Sequence, residues 1–484
     1  MSKHQRVKNV FFILTIIVGL LAVAPQVFYQ SFLFQGDHGR DLYISQQTAQ
    51  GAIPYVDYRT DNGPAMPFYY GAFLAYLGNS IQSVLLGYAL MIFIAGLLIF
   101  LIARKVIPPH FAFFSSILCM LIRPDIGLAS LAGLLICSFI YQRKDYLPNR
   151  SFFIILLTAL AGTFVMANLF IPEMFSPYWN SIQWNLIPAN LIYLLQYSFS
   201  FLTQNLAISG LSAILAILFF LGTRNLWISR KNKETKKCLR HLTCFLIFLI
   251  LFLMEFLLGF RFFRWIWILP QFFLIMFYCI FWGIKDMNKF IQGIIFLFLI
   301  FICSTLVVFQ YADIQTSKKN NAVLSVDKTH LYMRPTQKSW IDTVEKTSQF
   351  ILQATKPEDV ILTLPYDSLY CFLTQRKLAT KNPSLIGSTG TYVIPELEKN
   401  QVPLIVISNR AFHHNEEHLY GTLGRDYGKD LWEYIQTNYF LAAQFGPWNN
   451  MAGPVQNHAT QIYLRKTAFE SKASVSVQEI KDDL

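Results

Sequence analysis

From Val10 to about Tyr311 the chain alternates long apolar runs with short polar stretches, and beyond that point its spacing is that of an ordinary folded domain. A helix rises about 1.5 Å per residue, so roughly 20 apolar residues cross the hydrocarbon of a bilayer. Val10–Phe28, Ser80–Ala103, Phe152–Ile171, Leu242–Phe260 and Phe290–Gln310 meet that length, and Trp265–Trp282 comes close to it. Two shorter runs, Phe111–Ile122 and Ile126–Tyr141, flank Arg123-Pro124-Asp125 and predict a hairpin in thinned or protein-packed membrane. Counted with a return before the basic stretch Arg224–Arg240, the pattern predicts a polytopic α-helical membrane region of about nine spans. That region covers residues 1–311, with a first outer loop at about 29–79, and residues 312–484 form a separate terminal domain.

The terminal domain reads as mixed α/β. Trp340–Ala354 and Lys429–Asn438 have helical spacing, whereas Val360–Leu364, Leu404–Ser408 and Gln461–Leu464 are short apolar runs typical of strands. After Lys466 the chain is polar and lacks the apolar residues needed for a core.

Composition agrees with lipid as the solvent. Only 14% of the 484 residues are charged, against about 25% in a soluble domain. A net charge of +12 could suggest nucleic acid, but its distribution argues against it. Basic residues gather at Lys3/Arg6/Lys8, Arg104/Lys105, Arg143/Lys144/Arg150, Arg224–Arg240 and Lys285/Lys289. These sites fall at every second loop, as expected of cytoplasmic loops. The basicity is therefore topological and implies no nucleic-acid partner; the N-terminus lies in the cytoplasm and the terminal domain outside. Ala22-Val23-Ala24 resembles a cleavage site, but Pro25 follows it, so an uncleaved anchor is expected. Of seven cysteines only Cys371 falls in the terminal domain, which leaves no disulfide within it, and no metal-like cysteine spacing occurs.

Chemistry is concentrated in the first outer loop, GDHGRDLYISQQTAQGAIPYVDYRTDNGPAMPFYYG. Asp37 and Asp41 are one helical turn apart, and a helix opening at Asp41 would stack them at its positive end. Gly51 and Pro54 break that helix, Asp57 and Asp61 follow, and Pro64 opens another. Loop acids are commonly caps or solvated charges, but four of them held by turns beside lipid suit a reaction between a membrane-bound and a water-borne substrate.

Three features of this loop carry a resemblance: the acid soon after the first span, the Gly51-x-x-Pro54-Tyr55-x-Asp57 stretch, and Gly63-Pro64-x-x-Pro67-x-Tyr69-Tyr70. They resemble the GT-C superfamily of glycosyltransferases, closest to the branch of the protein O-mannosyltransferases and the lipid A aminoarabinose transferase. The likeness is strongest over residues 30–78, and the layout of spans extends it to about residue 311. It implies two interfacial helices in the first loop, a polyprenyl-phosphate-sugar donor, and Asp37 as the catalytic base that activates the acceptor. Asp41 and Asp57 would bind the acceptor, which would be a glycan, a lipid or a protein, and Asp125 would either join them as an acceptor-binding acid or close a salt-bridged turn with Arg123. His38 stands where the family often has a second acid, and Gly63-Pro64 replaces a Lys-Pro-Pro form. The resemblance therefore implies a reaction class, and neither the sugar nor the acceptor.

Other outer positions divide between chemistry and anchoring. Arg261 and Arg264 flank Phe262-Phe263 at the end of a span; they could snorkel as anchors, but the planar guanidinium also suits a donor phosphate. A divalent cation is the alternative means of neutralising that phosphate. Glu173 beside Tyr178, Trp179 and Trp184 forms either a sugar platform that binds the acceptor or an aromatic belt. Glu255, within an apolar run shortly before Arg261, is a functional position or a structural ion-pair partner. His414-Asn415-Glu416-Glu417-His418 matches a zinc-site spacing, but expected to lie in a loop it is a weak metal signal. Two other classes compete with the inner-membrane transferase expectation. A transporter or flippase for a lipid-linked saccharide would need polar mid-depth residues and repeated halves, and neither is evident. A glycan-binding scaffold would keep the aromatics but tolerate loss of Asp37.

Overall fold

The computed structural model describes residues 3–30, 34, 36–60, 65–104, 108–122, 288–385, 390–411, 422–448 and 458–466. The chain divides into two compact units, Met1–Ala24 with Ala89–Phe309 and Pro25–Tyr88 with Gln310–Leu484.

The described helices of the membrane-like part are α1 (Lys3–Val23), the single turn α2 (Pro25–Phe28), α5 (Ile81–Ala103), α6 (Pro109–Ile122) and α7 (Lys289–Lys319). Among the described residues, three stretches are long and apolar enough to cross a membrane: Arg6–Phe28, Ile81–Leu101 and Gln292–Lys319. They match the first, second and last expected spans. Along Arg6–Phe28 many large apolar side chains are bare, among them Val10, Ile13, Ile17, Leu20 and Leu21, which is costly in water and favourable in hydrocarbon. At 14 residues, α6 is helical where the first hairpin arm is expected and too short to cross a bilayer of normal thickness alone. In the first unit Phe11 of α1 meets His110 and Phe113 of α6 at 6.1 and 6.0 Å between ring centres. Ser116 of α6 donates a hydrogen bond to the Gly96 carbonyl of α5 at 2.7 Å. The remaining expected spans fall on residues 123–287, outside the described residues.

The second unit joins the first outer loop to the terminal residues. Its loop part holds β1 (Tyr29–Gln30), α3 (Asp37–Ala49) and α4 (Ala65–Leu77). A small sheet has the order β1-β3-β2, with β2 at Val323–Val326 and β3 at Thr329–Met333. β2 and β3 form an antiparallel hairpin, and β1 adds parallel to β3, with Tyr29 opposite Tyr332.

The larger sheet has the order β5-β4-β6-β8-β7. Its strands are β4 (Val360–Leu364), β5 (Lys377–Leu378), β6 (Leu404–Ser408), β7 (Tyr439–Phe445) and β8 (Thr460–Arg465). β4 runs parallel to both β5 and β6, whereas β8 runs antiparallel to β6 and β7. Both faces are covered, which explains the continuous apolar runs of β4 and β6. Side chains alternate between two cores: Ile361, Leu404, Val406 and Ile462 enter one, and Leu362, Ile405, Ile407 and Tyr463 the other. The first core is closed by α3, α8 (Lys338–Ala354) and α9 (Leu369–Thr374); the second by α10 (Val393–Lys399) and α11 (Lys429–Asn438). The α/β expectation for the C-terminal region holds. Its expected helices and strands are found at Lys338–Ala354, Lys429–Asn438, Val360–Leu364, Leu404–Ser408 and Thr460–Arg465.

Candidate functional site

The site begins with the docking of α3. This helix opens at Asp37 itself and not at Asp41 as expected, with Gly36 just before it at φ +63°. An L residue is strained at such a φ, and a Cβ there would also lie 3.2 Å from Arg410 Nη1. One turn on, Gly39 lets the helix press onto its neighbours: a Cβ would sit 2.5 Å from the Phe34 carbonyl oxygen and 3.0 Å from Leu369 of α9. Leu42 and Ile44 are buried in the core. Tyr43 accepts a hydrogen bond from the Leu378 N–H at 2.8 Å, and Gln46 donates one to the Phe372 carbonyl at 3.1 Å. Burial also raises the Tyr43 pKa, which keeps its phenol neutral. Sequence-distant backbone is thus tied to the first loop by buried polar bonds.

Docking α3 places Asp37 beside the loop that follows β4. The Tyr366 hydroxyl donates to Asp37 Oδ1. Arg40, buried on the same helix, brings Nη1 to 3.5 Å from that oxygen and Nη2 to 3.0 Å from Asp41 Oδ1. Its guanidinium lies 5.6 Å from the centre of the Tyr366 ring, a cation–π separation. Asp37 and Asp41 are thus joined through one arginine. The Asp37 side chain is nevertheless 61% exposed, so a substrate can reach it. Burial drives the Tyr366 pKa upward, opposed by Arg40 and reinforced by Asp37. The phenol therefore stays protonated and acts as donor.

A second charged pair lies next to the first. Asp367, 2% exposed, is 3.2 Å from Arg410 Nη1 and accepts a hydrogen bond from the Ser408 hydroxyl. A carboxylate this deeply buried requires such partners. Tyr366 and Asp367 follow β4; Ser408 ends β6 and Arg410 follows it. β4 and β6 are adjacent and parallel, and the chain leaves β4 for α9 on one face and reaches β6 from α10 on the other. The charged groups thus sit outside the carboxyl ends of two parallel strands where the connections diverge, a recurrent position for ligand sites in α/β sheets.

Beneath this rim His458 places Nε2 2.9 Å from the Tyr370 hydroxyl. Burial lowers its pKa to about 4, against the opposing pull of Asp367, so the imidazole is neutral at physiological pH.

The expected site residues fare differently. Asp37 and Asp41 are brought together. Asp57 serves its own turn, with Oδ2 accepting from the Ile53 N–H at 2.8 Å. Asp61, Asp125, Glu173, Glu255, Arg261, Arg264 and the His414–His418 motif lie outside the described residues. Among the described residues no group of three or more His, Cys, Asp or Glu could hold a metal ion. Arg40, Tyr366, Asp367 and Arg410 escape the reading of the sequence. The signal for Arg40 is its place between Asp37 and Asp41; for the others it is a polar group at the carboxyl end of an apolar strand. No protein-family model and no curated protein matches this chain.

Proposed function

We propose that the protein is an integral-membrane glycosyltransferase of GT-C-like architecture with about nine spans. On this reading it moves a sugar from a polyprenyl-phosphate donor to a glycan, lipid or protein acceptor at the outer face of a bacterial inner membrane. The N-terminus is cytoplasmic and the terminal domain extracytoplasmic. The observation that carries the proposal is the exposed carboxylate of Asp37, closely following an apolar helix and set in a cluster of buried Arg and Tyr partners. The motif resemblance of residues 30–78 supports it.

Asp37 is the base. It takes the acceptor O–H proton as the acceptor oxygen forms its bond to the anomeric carbon. The bond from that carbon to the phosphate oxygen breaks, and polyprenyl phosphate leaves with the electron pair. General-base assistance contributes about 10²–10⁴-fold. The departing phosphate requires cationic stabilisation, the role assigned to Arg261 and Arg264, with a divalent cation as the alternative. Asp41, Asp57, Asp125 and Glu173 are assigned to the acceptor, with Asp41 already bound to Asp37 through Arg40. The test is purified full-length protein given a panel of labelled hexosyl and pentosyl polyprenyl phosphates, with and without chelator. Release of polyprenyl phosphate from at least one donor is expected, and release from none refutes the proposal.

A further inference from the structure

We propose that Tyr366, supplied by the terminal α/β region, is a positioning residue for Asp37, so that the base is complete only when α3 is docked on the loop following β4. The inference rests on Asp37 acting as the base and names the group that prepares it.

Asp37 lies at the first position of a helix, and its carboxylate could adopt several orientations in water. The Tyr366 hydroxyl and Arg40 Nη1 both meet one of its oxygens. Neither partner is free to wander. Tyr366 is buried, and Arg40 is held by Asp41 and packed over the Tyr366 ring. Tyr366 lies on the loop that leaves β4, two residues beyond Leu364, so the sheet anchors the segment that carries it. A hydrogen bond donated to a carboxylate favours its charged form, the form a base must have. Among the described residues, the charged and titratable groups around Asp37 include His38, Arg40 and Asp41 on its own helix, Tyr366 and Asp367 after β4, and Arg410 after β6. The arginines favour ionisation of Asp37 and the neighbouring acids oppose it. Removing the Tyr366 hydroxyl leaves those charges in place and takes away one hydrogen bond to the charged form.

This has a consequence for the division of labour in the chain. The terminal region would do more than cover the site or select an acceptor: a chain whose α3 is undocked would retain Asp37 but lose its orientation. Tyr366→Phe keeps the ring over Arg40 and removes only the hydroxyl, so it isolates the contact. Arg40→Met removes a different partner of the same carboxylate and serves as an independent probe.

The experiment is carbodiimide coupling of a labelled amine to the full-length protein across a pH series, read by mass spectrometry at the peptides containing Asp37 and Asp57. Coupling requires the protonated carboxyl, so its midpoint follows ionisation. Tyr366→Phe is expected to move the Asp37 midpoint upward by about one pH unit, the scale of one hydrogen bond to a charged group. Arg40→Met should move it the same way, and Asp57 should not move. The acid limb of kcat/KM on the labelled polyprenyl-phosphate panel should follow the Asp37 midpoint. An unchanged Asp37 midpoint in Tyr366→Phe, or an equal shift at Asp57, overturns the positioning role. A shifted midpoint supports the positioning contact even where the wild type releases polyprenyl phosphate from no donor, a result that overturns the transferase reading alone.

Discussion

Gly39→Ala tests the docking on which the site depends. The new methyl group would lie 2.5 Å from the Phe34 carbonyl oxygen and 3.0 Å from the Leu369 backbone nitrogen and Cβ. Two of these three neighbours are backbone atoms, so the clash cannot be relieved by turning a flexible side chain. Overpacking of this kind costs about 1–3 kcal/mol, and a backbone obstacle places it near the upper end. Against this, alanine is favoured over glycine inside a helix by about 1 kcal/mol. The net loss is therefore about 2 kcal/mol, concentrated in the contact between α3 and α9. The assay is amide hydrogen exchange of the full-length protein, following the residue 37–49 segment and the Leu378 N–H that bonds to Tyr43. A loss of about 2 kcal/mol corresponds to roughly 30-fold faster exchange where local opening controls it. The α11 amides, which pack against the opposite face of the sheet, should exchange at their original rates. Equal or slower exchange across α3 would show that the helix does not approach α9 this closely, and the geometry built on it would fail.

Two further effects follow from the buried groups. Arg410→Met strips the buried Asp367 carboxylate of its cation while keeping the Ser408 hydrogen bond, and should cost about 3 kcal/mol in thermal or denaturant unfolding; Asp367→Asn added to it should recover part of that loss, and an additive loss would refute the pairing. His458 is neutral in the fold, with its pKa lowered to about 4 from 6.5. The unfolded chain therefore binds the extra proton first, and stability should fall as pH drops from about 6.5 to about 4 and then level off, by up to roughly 3 kcal/mol from this group. His458→Gln should flatten that part of the pH–stability curve, and a curve of unchanged shape would contradict the assignment.

The parts of the fold legible in the sequence are those whose pattern is local. Val360–Leu364 and Leu404–Ser408 stand out because strands covered on both faces become unbroken apolar runs. The helix at residues 429–438 was equally plain from its apolar spacing. The hairpin Val323–Met333 was not anticipated, because its strands are short and its turn at Asp327 has no glycine to mark it. β5 is two residues long and is defined only by its pairing with β4. α3 opens one turn before Asp41, where the acid spacing suggests a start, because a glycine with positive φ and no side-chain cap precedes it. The same distinction governs the site. Asp37 was conspicuous as an acid shortly after an apolar run. Tyr366 and Arg410 were not, since they reach Gly36 and Asp37 only through the crossover of β4 and β6, more than 300 residues further along the chain.

The proposed role of Asp37 is that of the base in a sugar transfer from a lipid phosphate. It is tested most directly by comparing the wild type with Asp37→Asn, both full length, purified and shown to be folded, on the donor panel of labelled polyprenyl-phosphate sugars. The asparagine keeps the shape of the side chain and removes its ability to accept the proton. The wild type is expected to release polyprenyl phosphate from at least one donor, and Asp37→Asn to do so about 10²-fold more slowly or worse. Full turnover by Asp37→Asn would contradict it.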